Sequence, residues 1–219
     1  MRAWLVRGPD SLLADRRRTE CDGERCALVA AAPSRPYAYL LGQYLGDGYI
    51  AAHPRGVYRL VITACDWYPK IIAECADAIR LVMPRNTVEF NGGEGCIRVS
   101  SYSKHWPCLF PQHGPGRKHE RPIELARWQQ AVVNDDPRAF IRGLLHSDGC
   151  RVMNRVHVRG RWYAYPRYFF SNESDDIRML FGDACDLVGV EWRHNRRNSI
   201  SVARRRSVAL LDEFVGPKS

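Results

Sequence analysis

The sequence lacks any apolar stretch that approaches the ~20 residues needed to cross a bilayer as a helix. Its first residues also lack the long apolar segment and the small-residue cleavage site of a secretory signal peptide. These two absences argue against a membrane protein and against a secreted one. We therefore expect a cytoplasmic protein without a membrane partner.

Lysine is scarce. Only Lys70, Lys104, Lys118 and Lys218 contribute to the 33 basic residues, and the others are arginine. This bias favours a GC-rich bacterial genome. The basic residues exceed the 24 acidic ones, which gives a formal net charge of +9. Because the arginines also occur in clusters, the sequence predicts a nucleic-acid partner and a nucleoid-associated protein.

A second cysteine pair is missing as well. Cys21 and Cys26 form a lone C-x₄-C, whereas a structural zinc ion needs four ligands. Zinc would bind only if the fold brought further ligands to this pair, for which the candidates are Cys108, His105, His113 and His119. The other cysteines are isolated in apolar or mixed surroundings. We expect them to be reduced core thiols, as in a cytosolic protein.

One segment of the sequence occurs twice. Leu40–Gly48 reads LLGQYLGDG, and Ile141–Gly149 reads IRGLLHSDG. Each copy is an apolar helical segment with small residues four apart, and each ends in Asp-Gly. The small residues are Gly42 and Gly46 in the first copy, and Gly143 and Ser147 in the second. The match predicts one structural unit used twice.

The repeated Asp-Gly suggests a paired site. Small residues at i and i+4 let two helices approach closely, so Asp47 and Asp148 would project side by side from the helix ends. Two neighbouring carboxylates raise each other's pKa unless a cation lies between them, and their oxygens suit Mg²⁺. Paired divalent ions promote phosphodiester hydrolysis. A single Asp-Gly can simply end a helix with a left-handed glycine, but two copies in matched context favour function.

The segments after the two motifs also correspond. Two strand-like runs, a helix and two further strands follow each copy. We therefore assign residues 34–110 to a first repeat, 111–134 to a linker and 135–219 to a second repeat. Residues 1–33 are predicted to be a basic N-terminal arm or the remnant of an upstream helix-turn-helix.

At these motifs the sequence resembles the LAGLIDADG homing endonucleases of the single-chain, two-repeat type, over about Tyr37 to Phe214. The resemblance implies an α+β fold of two pseudo-symmetric αββαββα repeats, whose antiparallel sheets form a DNA-binding saddle. It also implies a monomer with internal pseudo-twofold symmetry and cleavage of double-stranded DNA with Mg²⁺ or Mn²⁺. Leu45 and His146 replace the acidic residue two positions before each final aspartate. That position is not the essential one of the family, so the departure does not argue against activity.

The resemblance further implies the residues of the site. The metal ligands are expected at the ends of the motifs, at Asp47, Gly46, Asp148 and Ser147. A basic residue near the end of each sheet should stabilise charge on the phosphate. We predict Lys104 for this role in the first repeat and Arg205 or Arg206 in the second. His146 is expected to be packed or hydrogen-bonded at the helix interface rather than to carry a proton.

Polar residues on the strands are predicted to contact DNA phosphates and base edges. In the first repeat, strand alternation puts Arg59 and Thr63 on the face opposite the core. In the second repeat, alternate arginines form a basic stripe on the strand that directly follows the motif. The predicted DNA contacts are Arg55, Arg59, Thr63, Arg98, Arg151, Arg155, Arg159, Arg167, Arg193 and Arg197.

Together these features predict a site-specific double-stranded DNA endonuclease. Two alternatives stay open. One is a DNA-binding transcriptional regulator that keeps the fold without cutting, because the second half also resembles bacterial proteins in which such a core follows a helix-turn-helix. The other is an RNA maturase, whose scaffold and positive charge would be similar.

Overall fold

The computed structural model describes residues 26–216 and residue 218. Most of the predicted N-terminal arm, including Cys21, lies outside the described residues. The first described element is a short helix, α1 (Ala27–Ala31), which precedes the first motif. Within the described residues, no helix has both the length and the apolar character to cross a membrane.

The first repeat begins with the first motif helix. Its elements are α2 (Ser34–Asp47), β1 (Gly48–His53), β2 (Val57–Cys65), α3 (Pro69–Val82), β3 (Val88–Gly93), β4 (Cys96–Ser103) and the short α4 (Trp106–Leu109). The strands form an antiparallel sheet in the order β1-β2-β4-β3. A 3₁₀ turn at Pro54–Gly56 joins β1 to β2.

The segment between the repeats is structured. It contains a 3₁₀ turn at Lys118–Glu120 and helix α5 (Arg127–Asp135). Gln129 of α5 is buried, and its Nε2 donates a hydrogen bond of 2.7 Å to the Tyr37 hydroxyl of α2. This segment therefore packs against the first motif helix and is not an extended loop.

The second repeat has the same plan. Its elements are α6 (Pro137–Asp148), β5 (Gly149–Val158), β6 (Arg161–Ser171), α7 (Asp175–Leu187), β7 (Arg193–Arg196), β8 (Ser199–Val202) and α8 (Arg205–Phe214). The antiparallel strand order β5-β6-β8-β7 reproduces that of the first sheet. The matching topology confirms the predicted α+β fold of two repeats.

The two motif helices, α2 and α6, pack directly on each other through small residues. A Cβ atom at Gly42 would lie 2.6 Å from the Phe140 carbonyl oxygen. A Cβ atom at Gly143 would lie 2.2 Å from the Tyr39 carbonyl oxygen. Such distances are far inside van der Waals contact, so the backbones can approach this closely only where side chains are absent. The structure thus gives the repeated small residues the role that the sequence predicted.

Polar side chains also connect the repeats. Arg142 of α6 donates from Nε and Nη2 to the two carboxylate oxygens of Glu74 on α3, each at 2.7 Å. The Arg142 guanidinium also donates to the Phe214 carbonyl oxygen at 2.6 Å. This bidentate ion pair joins the first repeat to the second at the flank of the helix pair.

Each sheet has a helix face, which packs on helices, and an open face on the other side. In the first sheet the helix face carries the buried residues Leu60, Ile62 and Val99. In the second sheet it carries the buried Phe170 and Ile200. Because directly paired residues of antiparallel strands share a face, the register assigns every other strand residue to one face.

We expect Gly143→Ala to destabilise the protein by about 1–3 kcal/mol, because the added methyl group meets the α2 backbone in an interface that cannot yield. Gly92→Ala is the matched control, since a Cβ atom there would meet only Ile97 Cδ1, at 4.0 Å. Urea denaturation of both variants measures the difference. Equal unfolding free energies for the two would contradict the close approach of the helices.

Candidate active site

Each motif helix ends in an aspartate and continues directly into a strand. The Gly48 N–H donates to the Tyr44 carbonyl and the Gly149 N–H to the Leu145 carbonyl, which closes each last helical turn. The two glycines have extended backbone, with φ of −98° and −100°, so a left-handed helix stop does not explain them. The lack of room for a side chain explains them instead. A Cβ atom would lie 2.6 Å from Tyr44 Cα at the first position and 2.7 Å from Leu145 Cα at the second.

The structure brings the two predicted carboxylates together. Partial burial and, next, the negative charge of Asp148 raise the pKa of Asp47 to about 6. Burial also raises the pKa of Asp148, although a hydrogen bond of 2.6 Å from Asn172 Nδ2 to Asp148 Oδ2 opposes the shift. Asp148 Oδ2 would lie 3.0 Å from a Cβ atom at Gly46, so this carboxylate reaches across to the first motif helix. The pair forms an anionic centre at the junction of the repeats.

Two lysines cap the ends of the motif helices. Lys118 Nζ donates to the Leu45 and Gly46 carbonyls at 2.8 and 3.0 Å. Lys218 Nζ donates to the Ser147 carbonyl at 3.1 Å. Gly46 and Ser147 are the corresponding residues of the two motifs. The two lysines therefore occupy matching places in the two repeats, as the pseudo-twofold symmetry requires.

The lysines and the carboxylates form one charge cluster. Burial lowers the pKa of Lys118 to about 8, against the attraction of Asp148 and Asp47. Burial lowers the pKa of Lys218 as well. Each ammonium group in turn lowers the pKa of both aspartates. Lys118 and Asp148 line a cleft of about 360 Å³, which opens the cluster to a ligand.

The structure brings Lys118 and Lys218 to the carboxylates rather than the basic residues that the sequence analysis chose. Lys104 lies in an exposed bend between β4 and α4, and Arg205 is the exposed first residue of α8. Neither of them is among the charges that shift the pKa of the two aspartates. Arg206 forms an ion pair with Glu191 instead.

A signal for the two lysines was present in the sequence. The chain has only four lysines, and two of them follow their motif aspartate at nearly equal distances, 71 residues for Lys118 and 70 for Lys218. In a duplicated chain, equal spacing from a repeated motif indicates equivalent positions.

His146 is buried and hydrogen-bonded, as predicted. Its Nδ1 lies 3.0 Å from the Tyr39 hydroxyl oxygen, and its Nε2 lies 3.0 Å from the Val215 carbonyl oxygen. Burial and then the positive charge of Arg142 lower the pKa of His146 to about 4. The imidazole is therefore neutral at pH 7 and holds the helix interface together.

The open face of the first sheet carries three of the predicted DNA contacts. Arg59, Thr63 and Arg98 all lie on this face, and Thr63 pairs directly with Arg98 across the strands. Tyr49 lies on the same face and is 50% exposed, which adds an aromatic ring that the sequence analysis did not assign. This face therefore combines positive charge with a stacking surface.

On the second sheet the predicted basic stripe lies on the other face. Arg151 and Arg155 share the helix face with Gly149 and its buried partner Phe170. Arg151 Nε donates to the Asp212 carboxylate of α8 at 2.7 Å, so this arginine is engaged in an intramolecular ion pair. The predicted basic stripe therefore lies on the helix face rather than on the open face, because Gly149 belongs to the helix face and alternate residues follow it.

The open face of the second sheet is formed by the other set of residues. It carries Arg167 and Arg193, two predicted contacts, together with Tyr163 and Tyr165, which the sequence analysis did not assign. The remaining predicted arginines lie in the turns between strands, and these are Arg55, Arg159 and Arg197.

Neither a family model nor a curated protein sequence matches this chain. Solved structures do match it. A structure of the homing endonuclease I-DmoI in complex with DNA and Mn matches with a TM-score of 0.55 and 15% identity, over 84% of this chain and 97% of that chain. An I-DmoI variant in complex with its target DNA in the presence of Mg matches with a TM-score of 0.56 and 16% identity, over 83% of this chain and 96% of that chain.

A third match is the LAGLIDADG meganuclease I-AabMI bound to uncleaved DNA. Its TM-score is 0.51 with 10% identity, over 82% of this chain and 82% of that chain. At these identities the likeness establishes architecture. This chain has the fold of the LAGLIDADG homing endonucleases.

Proposed function

We propose that this protein is a site-specific double-stranded DNA endonuclease that depends on a divalent cation. The observation that carries the proposal is the pair of carboxylates, Asp47 and Asp148, held between two lysines at the centre of the duplicated fold. The fold supports the proposal, since the solved structures that share it include endonucleases in complex with DNA.

The donor set at the centre fits a hard cation. Asp47 and Asp148 offer carboxylate oxygens, and Gly46 and Ser147 offer carbonyl oxygens beside them, which are ligands that Mg²⁺ and Mn²⁺ prefer. Both carbonyls accept hydrogen bonds from the lysine ammonium groups, so this end of the helices already attracts positive charge. Bound divalent cations would supply the Lewis-acid activation of water and of the leaving oxygen that phosphodiester hydrolysis needs.

Lys118 is suited to stabilise negative charge on the reacting phosphate. Its pKa of about 8 leaves it mostly protonated at neutral pH, and three backbone carbonyls hold its ammonium group in place. A charge that is already fixed does not have to reorganise when negative charge develops, which is the basis of electrostatic catalysis. Lys218 would have the same role in the second repeat.

The symmetry of the site matches the symmetry of the substrate. The two strands of a DNA duplex are related by local twofold axes, and proteins with twofold symmetry bind across such axes. Each strand would then meet one aspartate and one lysine. A single chain with two half-sites can thereby cut both strands.

The open faces would bind the duplex on either side of the centre. Arginine is the residue best suited to bidentate contacts with phosphate and guanine, and Arg59, Arg98, Arg167 and Arg193 lie on these faces. Such contacts supply salt-dependent affinity and part of the base readout. Arg55, Arg159 and Arg197, in the turns between strands, would add further positive charge.

The test of the proposal is a cleavage selection. A large library of randomised duplexes is incubated with Mg²⁺ and either the wild-type protein or the Asp47→Asn/Asp148→Asn variant. We expect the wild type to cut both strands of specific duplexes, and the variant to lose at least about 10³-fold in rate because it cannot hold the cation. The variant should bind the same duplexes as tightly or more tightly, since two negative charges are removed.

A wild type that retains specific duplexes uncut in both Mg²⁺ and Mn²⁺, with equal retention by the double variant, would contradict the proposal. The protein would then bind DNA without cutting it, as a regulator does. Urea denaturation of the variant controls for loss of fold.

We expect Lys118→Met to slow cleavage by about 10²–10³-fold, because it removes a fixed charge at the reacting phosphate. Lys118→Arg should retain much of the rate, since the charge is kept. Lys70→Met is the matched control, because Lys70 is exposed on α3. Single-turnover cleavage of the selected duplex measures all three. A greater loss in Lys104→Met than in Lys118→Met would return the role to the residue that the sequence predicted.

We expect Arg167→Ala to weaken binding of the selected duplex by about 5- to 100-fold and to reduce the salt slope by about one, as for the loss of one phosphate or base contact. Arg155→Ala is the matched control on the helix face of the same sheet and should change affinity less than about twofold. Fluorescence anisotropy with the double aspartate variant as the background measures both. Equal losses would mean that the helix face also contacts DNA.

A further inference from the structure

A second cluster of metal-ligating side chains lies at the start of the first repeat. The Sγ atoms of Cys26 and Cys108 and a ring nitrogen of His105 all lie within 4.8 Å of one another. Among the described residues, this is the single group of three or more Cys, His, Asp or Glu ligands close enough to share an ion. None of the three residues contributes to the carboxylate centre.

The local backbone presents these ligands together. His105 immediately precedes α4, and its N–H donates to Ser103 Oγ at 3.0 Å, where β4 ends. The Cys108 N–H then donates to the His105 carbonyl at 3.0 Å, so the H-x₂-C pair occupies one helical turn. Cys26 immediately precedes α1, which packs beside α4. Two separate segments of the chain thus bring soft ligands to one point.

The distances agree with a tetrahedral zinc site. Zn–S and Zn–N bonds of about 2.3 and 2.0–2.1 Å at the tetrahedral angle separate the sulfur and nitrogen ligands by roughly 3.5 Å and two sulfur ligands by roughly 3.8 Å. The separation between Cys26 Sγ and His105 Nδ1 is 3.5 Å. The thiols are nearly buried, with 5% exposure for Cys26 and 7% for Cys108, as in structural sites that exclude solvent.

The chemistry of the three ligands indicates which metal ion would bind. Thiolate with imidazole is the donor set of zinc, whereas Mg²⁺ and Ca²⁺ take oxygen ligands. Cys21, which forms a C-x₄-C pair with Cys26 in the sequence, lies outside the described residues. His113 and His119, the other candidates from the sequence, are not part of the cluster.

We propose that Cys26, His105 and Cys108 form a zinc site. The ion would fasten the segment before the first motif to the turn after β4. Because only residues 27–33 separate Cys26 from the start of α2, the same ion would also fix the entry of the helix that ends in Asp47. The site is independent of the proposed endonuclease function.

The experiment measures zinc in the full chain, purified without chelators, by inductively coupled plasma mass spectrometry. We expect about one zinc per wild-type chain and almost none in Cys26→Ala or Cys108→Ala. Cys75→Ala is the matched control, because Cys75 is buried outside the cluster, and it should keep its zinc. Zinc absent from the wild type, or retained in both cluster variants, would overturn the site.

A further variant separates this site from the carboxylate centre. The Asp47→Asn/Asp148→Asn variant should hold the same zinc as the wild type whether or not the wild type cuts DNA. Zinc content therefore reports on this site alone, and cleavage reports on the other.

A measurement on the wild type keeps the test decisive if the cysteine variants fail to fold. Alkylation followed by mass spectrometry should label the exposed Cys65 and Cys150 at once, and Cys26 and Cys108 only after a chelator is added. Replacement of zinc by Co²⁺ should give the intense visible bands of tetrahedral thiolate coordination. Labelling of Cys26 and Cys108 that needs a reductant instead of a chelator would indicate a disulfide and overturn the proposal.

Discussion

The backbone contact between the two motif helices is the constraint on which the rest of the structure depends. At Gly42 and Gly143 no side chain separates α2 from α6, and a Cβ atom at either position would clash with a carbonyl oxygen of the other helix. This close approach decides how far apart the two terminal aspartates lie. It also decides where the two sheets begin, since β1 and β5 start at the residue after each aspartate. Packing and chemistry are therefore set by the same pair of glycines.

The close approach of the two helices brings two carboxylates together, and the two lysines reduce the repulsion between them. Burial and, next, the repulsion from Asp148 raise the pKa of Asp47 to about 6. Lys118 and Lys218 oppose this repulsion and at the same time satisfy carbonyls at the helix ends, where the helix dipoles are negative. The centre is thus stabilised by charges of opposite sign that compensate each other.

The parts of the fold that sequence reasoning could predict are those with a period or a repeat. Helix and strand patterns, the duplicated order of elements and the paired aspartates all follow from spacing along the chain. The face of β5 did not, because both alternations of that strand are largely exposed and the more apolar one lies on the open face, so only the pairing of Gly149 with the buried Phe170 decides between them. The position of Lys118 did not either, since it depends on how the segment between the repeats folds back over α2.

The ion pair between Glu74 and Arg142 makes the two repeats of the chain non-equivalent. The pair runs in one direction, from an acid of the first repeat to a base of the second. In α2 the position that corresponds to Arg142 holds Leu41, so two copies of the first repeat would leave Glu74 facing a leucine. The first repeat therefore forms this ion pair with the second repeat and could not form it with a second copy of itself. The duplicated chain therefore has a fixed first and second half, a difference that two identical subunits would not have.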